Sequence, residues 1–282
     1  MAWVLFSSIL LSSVLNIVAL APSSLIVQNK GGGHGELGYH TATALSNLGH
    51  SVTLLQDSSF DKSKQPYASY PSLPPSVTVV ECDMSDLPTA VSTSSYDYII
   101  DNYSKDATSP TSKSLLALGS PKAGCKKYLY ISSAGIYDPP PGHGGDASGP
   151  LLESFPVKSS SGQFSFESAL KSAGVPLFAF RPQYIYGPLA NKFSYLDYFF
   201  SRISSRRPLP IPGSGSQLVS LTSAPDVASL LSCCVTCPAA SPGVYNCGSP
   251  EVRTYNEVAR MCGEACGEEP DVYNYETGGG GG

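Results

Sequence analysis

The sequence predicts an α/β fold, a doubly wound parallel sheet with a small C-terminal lobe. Three observations predict it. Short apolar runs recur as continuous stretches rather than alternating ones, the mark of strands buried on both faces. Helix-like stretches separate those runs. Five glycines fall within eight positions, Gly31 to Gly38, between the first strand and the first helix.

The strands are read from "SLIVQ" (24–28), "SVTLL" (51–55), "VTVVE" (77–81), "YDYII" (96–100), "KYLYIS" (127–132) and "PLFAF" (176–180). Each is apolar, rich in β-branched or aromatic residues and bounded by turn residues. The first helix carries Leu37, Thr41, Ala44, Leu45 and Leu48 on one face, and Gly49 stops it. "SKSLLALG" (112–119) and "FSFESALKSAG" (164–174) read as further helices. The Pro-rich stretches "YPSLPPS" and "DPPPGHGGDASGP" belong on the surface. After residue 182 the rhythm changes, and "DVASLLSCC" and "TYNEVARMCGEAC" read as two helices of the smaller lobe.

The expected organisation is therefore a targeting leader at 1–21, a nucleotide-binding domain at 22–182, an interleaved C-terminal lobe at 183–276 and a glycine tail at 277–282. The leader is a long apolar run without an internal charge, ending in Ala19-Leu20-Ala21, a small-x-small pattern of the signal-peptidase type. A membrane anchor competes with that reading; the leader is preferred because the first strand follows at once.

With 282 residues, 27 glycines and 24 prolines, the chain is one large, loop-rich domain or one domain with a lobe. A net charge of −5 excludes a general polyanion binder, so contact with nucleic acid needs a local basic patch. "CCVTC" and "CGEAC" suggest a zinc site, but no histidine stands near them, and cysteine in an apolar helix packs as a small hydrophobe. No metal ligand set is assigned.

Gly32, Gly35 and Gly38 form G-x-x-G-x-x-G between strand and helix. Glycine permits the tight turn and the close approach of a ligand, and a helix N-terminus favours a pyrophosphate. NAD or NADP is the candidate ligand of this turn, and a turn that merely packs helix on strand is the alternative; the Rossmann-type sheet is what the resemblance given next implies. Asp57, about 20 residues on, is the candidate for the ribose hydroxyls. Asp83 and Met84, after the third strand, are candidates for the edge and face of adenine; a plain helix cap is the alternative for Asp83.

The stretches "GGGHGELG", "CDMSD", "ISSAGIY", "FRPQYIYGP", "APDVASLL" and "GVYNCGSPEVRTYNEVA" resemble the extended short-chain dehydrogenase/reductase superfamily, from about residue 24 to residue 276. More narrowly, "GGH" at 32–34, "DYIIDNYSKD", "YLYISSAGIY", "FRPQY" and "FFSRISSRRPLPIPGSGSQL" resemble the chloroplast stem-loop-binding proteins. That resemblance implies an RNA-binding protein of the plastid, endoribonuclease activity on stem-loop transcripts, a role in RNA stability, and homo- or hetero-oligomers. The leader would open a plastid import sequence, with the secretory pathway as the alternative. Other members of the superfamily use NAD(P) to epimerise, reduce or dehydrate nucleotide sugars.

That redox chemistry needs a Ser or Thr, a Tyr as general acid/base and a Lys that lowers the Tyr pKa. Ser133 matches the Ser position. The Tyr and Lys of Y-x-x-x-K should follow, but the sequence there is "ESFPVKSSSGQFSFESALKSAG". Taking Glu167 as the acid that follows the Lys puts Gln163 at the Lys position and Ser159 at the Tyr position; another register gives Ser168 and Phe164. No Tyr in the chain has Lys four residues later. Losing a positioned acid/base costs roughly 10²–10⁴ in rate. Tyr137 and Tyr184 are the candidates to substitute, and Ser133 is otherwise a cap at a strand end.

Two features bear on RNA. Residues 192–207 carry Lys192, Arg202, Arg206 and Arg207 against Asp197, a local charge of +3, interleaved with Phe193, Tyr195, Tyr198, Phe199 and Phe200. Cations hold phosphates and aromatic faces stack on unpaired bases. An amphipathic helix with core aromatics and solvated arginines is the alternative. For cleavage, the histidines are His34, His40, His50 and His143, and no two show a catalytic spacing. His34, inside the glycine turn, either contacts a phosphate or fills space. A divalent metal on Asp83, Asp101 or Asp226 is a further alternative that no spacing supports.

Overall fold

A computed structural model describes residues 20–28, 34–140, 150–191, 193 and 195–276. Gly32, Lys192, His143, the glycine tail and nearly all of the leader lie outside the described residues.

The first half of the chain alternates strand and helix. It runs β1 (Ser23–Val27), α1 (Gly35–Asn47), β2 (Ser51–Asp57), β3 (Val77–Cys82), α2 (Thr89–Ser92), β4 (Tyr98–Asp101), α3 (Pro110–Leu118), β5 (Lys127–Ile131), α4 (Gly162–Ser172) and β6 (Leu177–Pro182). All six strands read from the sequence form. The apolar runs of the inner strands are buried, with Leu25, Ile26, Val27, Leu54, Leu55 and Leu129 fully inaccessible, whereas β3, at the sheet edge, is only half-buried. Gly49 ends α1 at φ +84, a conformation open to glycine at no steric cost.

The remainder holds β7 (Ile185–Tyr186), α5 (Tyr195–Ser204), β8 (Leu209–Pro212), β9 (Leu218–Val219), β10 (Thr222–Ser223), α6 (Ala224–Thr236), β11 (Gly243–Cys247), β12 (Arg253–Thr254), α7 (Tyr255–Cys266) and β13 (Val272–Tyr275). Residues 224–247, within the stretch assigned to the lobe, return to the sheet. The helix α6 packs on α1, and β11 pairs in parallel with β6.

The main sheet has the order β11-β6-β5-β4-β1-β2-β3 with every pair parallel. One face is covered by α3 and α4 through Leu115, Leu118, Phe166 and Leu170. The other is covered by α1 and α6 through Leu37, Leu45, Val227 and Leu231. A third cluster joins α5, α7 and β8 through Phe199, Ile203, Leu209, Ile211, Val258 and Cys262. Strand order reverses between β1 and β4, and their C-terminal ends open the crevice where ligands bind in such sheets.

Helix starts differ in how they are finished. Ser109 caps α3, Ser161 caps α4 and Ser223 caps α6 through side-chain oxygens. Thr254 and Glu257 form a reciprocal capping box on α7. The helix α1 starts at the switch point, at His34, with no side-chain cap from that residue.

Candidate functional site

The two described glycines at the start of α1, Gly35 and Gly38, stand close to other side chains. A Cβ on Gly38 would lie 2.4 Å from the Gln28 side chain, and one on Gly35 would meet Asn191 and Pro66 at 3.2 to 3.3 Å. Gln28, fully buried at the end of β1, donates from Nε2 to the Gly35 carbonyl and accepts from Asn102 Nδ2 at 3.0 Å. Asn102 Nδ2 also donates to the His34 carbonyl at 2.9 Å. Two amides from neighbouring strand ends thus set the turn. The Gly35 amide donates to Asn191 Oδ1 at 3.0 Å, so a residue far along the chain finishes the helix.

The turn holds a buried acid as well. Glu36 is fully inaccessible, and its Oε1 lies 2.8 Å from Nδ1 of His34. Among the described residues its Oε2 has no hydrogen-bond partner.

A cavity of about 560 Å³ opens beyond the turn at the C-terminal ends of β4, β5 and β6. His34, Asn102, Ser104, Lys105, Ser132, Ser133 and Gln163 supply its polar wall, and Tyr103, Tyr184, Phe193 and Tyr195 its aromatic one. Among the described residues no Asp or Glu lines it. Ser132 is buried, and among the described residues its hydroxyl has no partner. Ser133 Oγ accepts the Gly135 amide at 3.0 Å and so caps the short turn after β5, the structural role weighed for it, while also facing the cavity. Tyr184 is held at φ +45, which costs a non-glycine residue about 1–3 kcal/mol, and its ring packs 4.7 Å from Tyr195.

The cavity contains Gln163, one of the residues aligned with the missing Lys, and tyrosines from other elements. Burial raises the pKa of Tyr103, Tyr184 and Tyr195 above the ordinary phenol value. Redox chemistry in this fold needs the opposite shift, produced by an adjacent lysine. Lys105 lines the same cavity, but among the described residues none of these phenols takes a hydrogen bond from it. Tyr137 does not substitute: it is buried outside the cavity, its hydroxyl donates to Asn246 at 2.7 Å, and Arg181 covers its ring. Glu167 and Arg181 form a bidentate buried pair, Nη2 to Oε2 at 2.5 Å and Nε to Oε1 at 3.1 Å, that ties α4 to β6.

The other candidates are placed as follows. Asp57 ends β2 and is buried, and its Oδ1 accepts the Ser59 amide at 2.8 Å and hydroxyl at 2.5 Å. Asp83 Oδ1 accepts the Ser85 amide at 2.9 Å and shapes a turn. Met84 is 1% exposed and belongs to the core, so it offers no face to adenine. Asp101 accepts from two backbone amides and from the Tyr128 hydroxyl, and burial raises its pKa. Among the described residues no group of His, Cys, Asp and Glu is arranged to hold a metal ion. Cys234 is buried as expected of a packing cysteine, whereas Cys233 is exposed.

The aromatic–basic stretch divides. Phe199 is buried and Tyr195, Tyr198 and Phe200 pack on the same cluster, so these rings build the lobe. Phe193 is 67% exposed. Arg202 donates to the Pro208 carbonyl at 2.6 Å, Arg206 pairs with Glu268 at 2.6 Å, and Arg207 is exposed beside them. Sequence reasoning missed Lys105, Glu36 and Asn191 as site residues. Lys105 follows β4 in "DNYSKD", and that position at a strand end was the available signal.

A glycine turn on a helix without its own side-chain cap, at the switch point of a seven-stranded parallel sheet, defines a Rossmann-type protein of the extended short-chain dehydrogenase/reductase kind. The chain belongs to the NAD-dependent epimerase/dehydratase family, which matches residues 31–248. It is 29% identical to the chloroplast stem-loop binding protein of 41 kDa b of Arabidopsis thaliana, over 86% of this chain and 64% of the relative's length. Its fold is shared with the NAD complex of dTDP-glucose 4,6-dehydratase from Bacillus anthracis, at TM-score 0.71, 16% identity and coverage of 92% and 86% of the two chains. The NAD complex of UDP-glucose 4-epimerase from Thermus thermophilus gives TM-score 0.66 and 18% identity, covering 90% of this chain and 86% of the epimerase. Among the described residues no helix is long and apolar enough to cross a membrane.

Proposed function

We propose that this protein binds stem-loop RNA in a plastid and cuts it, using the fold of a nucleotide-sugar enzyme without that enzyme's proton chemistry. The observation that carries the reading is the cavity wall: among the described residues no acid, a lysine and a histidine, and tyrosines that burial keeps protonated. Such a wall suits a phosphodiester better than a hydride transfer that requires a tyrosinate. The similarity to a chloroplast stem-loop binding protein supports RNA as the ligand and the plastid as the compartment. Lys192, Arg202, Arg206 and Arg207 would add phosphate contacts, with Arg207 the most available, and a homo- or hetero-oligomer would extend that surface.

A second reading is an NAD(P)-dependent epimerase, dehydratase or reductase with a rearranged acid/base. The place of Gly35 and Gly38 at the start of α1, at the switch point of the sheet, favours it. A dinucleotide held there, with Asp57 at the end of β2 toward the ribose, would supply hydride chemistry. The wall beyond them lacks the Tyr–Lys pair.

Incubating the full chain with a labelled plastid stem-loop RNA, and separately with NAD(P) and nucleotide sugars, tests the choice. The proposed reading expects RNA to be bound and cut and no absorbance change from nicotinamide reduction. Reduction with any nucleotide sugar would favour the second reading.

A further inference from the structure

Gly35 and Gly38 face different neighbours. In a dinucleotide-binding turn one glycine lets the backbone approach the pyrophosphate, and the next lets the helix pack on its strand. Gly38 keeps the packing task, because the side chain its Cβ would strike is Gln28, next to β1. Gly35 is in the place of the approaching glycine, but the protein itself fills the ground in front of it. A Cβ there would meet Cγ of Asn191 at 3.2 Å, Nδ2 of Asn191 at 3.3 Å and Cδ of Pro66 at 3.3 Å.

Asn191 is seated there by both ends of its amide. Its Oδ1 accepts the Gly35 amide at 3.0 Å, the role an anion oxygen takes at the start of such a helix. Its Nδ2 donates to the Tyr67 hydroxyl at 3.3 Å. The two segments that meet over Gly35 are also tied to α1. The Tyr39 hydroxyl lies 2.9 Å from Ser72 Oγ, and His40 Nε2 lies 3.2 Å from the Pro188 carbonyl, three residues before Asn191. Tyr67, next to Pro66, is buried and packs 4.5 Å from Phe60 and 5.6 Å from Tyr70, so the Pro66 side rests on a core of its own. At the adenosine end, Asp57 turns Oδ1 to the amide and hydroxyl of Ser59, and Met84 is in the core.

We propose that Asn191 is a specificity-determining residue that opposes dinucleotides: an internal ligand of the first α1 amide, standing on the ground a pyrophosphate would take. A pyrophosphate reaches Gly35 only by displacing the Asn191 amide, and that breaks the bonds to Gly35 and Tyr67 together. The assignment is independent of RNA binding, and it weighs against the dinucleotide-dependent reading. Asn191 is not among the residues that line the cavity at the ends of β4, β5 and β6. The exclusion therefore applies to NAD(H) and NADP(H), and not to a ligand of that cavity.

The test uses the full chain, NAD(H) and NADP(H), and the variants Asn191→Ala and Asn191→Asp. Wild type should bind each dinucleotide with a Kd weaker than about 100 μM in calorimetric titration. Asn191→Ala should bind about tenfold more tightly, the size of one hydrogen bond that the ligand no longer has to displace. Asn191→Asp keeps the acceptor and adds a charge of the ligand's own sign, so it should bind no more tightly than wild type. Amide hydrogen exchange gives a readout separate from affinity. The Gly35 N–H should exchange faster in Asn191→Ala than in wild type, and NAD(H) should slow it again in that variant. Asn191→Ser, shorter but still polar, replaces a poorly folded Asn191→Ala with the same expectations. Wild-type binding tighter than about 100 μM would overturn the proposal. So would equal affinity in wild type and Asn191→Ala, or a Gly35 amide whose exchange the substitution leaves unchanged.

Discussion

Nδ1 of His34 lies 2.8 Å from Oε1 of Glu36, and this pair sits inside the glycine turn at the start of α1. Both side chains therefore lie at the helix N-terminus, where a sheet of this kind holds a pyrophosphate. A carboxyl group there competes with a bound anion.

Replacing Glu36 by Gln removes that carboxyl group. Binding of NAD(H) or NADP(H) should tighten about tenfold, roughly 1.4 kcal/mol, in calorimetric titration. Unchanged affinity would mean that the carboxylate does not oppose the phosphates.

Gly38 has no space for a methyl group because Gln28 stands 2.4 Å from the site of its Cβ. Gly38→Ala should lower stability by about 1–3 kcal/mol, read as a drop in melting temperature. The same change in a Gln28→Ala background should cost less. Equal costs in both backgrounds would show that Gln28 is not the obstacle.

The strands were legible because burial on both faces leaves continuous apolar runs, as in "SLIVQ" and "PLFAF". The seventh, β11, was not: "GVYNC" lies at the sheet edge, only partly buried, and carries little apolar signal. The missing Tyr–Lys pair was legible as an absent spacing. The His34–Glu36 pair was not, since two residues apart meet only when a turn folds them together. Met84 was misleading for a related reason: its place after β3 was readable, but the direction of its side chain, into the core, was not.

Glu167 served as a register marker in the sequence, and its partner Arg181 belongs to "FRPQY". Both are buried, so removing one leaves an uncompensated charge. Glu167→Ala should cost about 3–5 kcal/mol in urea unfolding. A loss below about 1 kcal/mol would show that the pair does not hold α4 to β6.

The cysteines should separate by reactivity. Burial pushes the thiols of Cys125 and Cys247 up to about 12, and those of Cys234 and Cys262 to about 11, while Cys233 and Cys237 are exposed. Thiolate is the reactive form, so alkylation near about pH 8 should mark Cys233 and Cys237 first in peptide mass maps. Early label on Cys125 or Cys247 would contradict their burial.

The most direct measurement is the affinity of the full chain for a stem-loop RNA across a series of salt concentrations. The account predicts binding whose logarithm falls linearly and steeply with the logarithm of salt, and a slope smaller by about 0.7–0.9 in Arg207→Ala, the contribution of one phosphate contact. Absence of binding at low salt, or an affinity indifferent to salt, would contradict it.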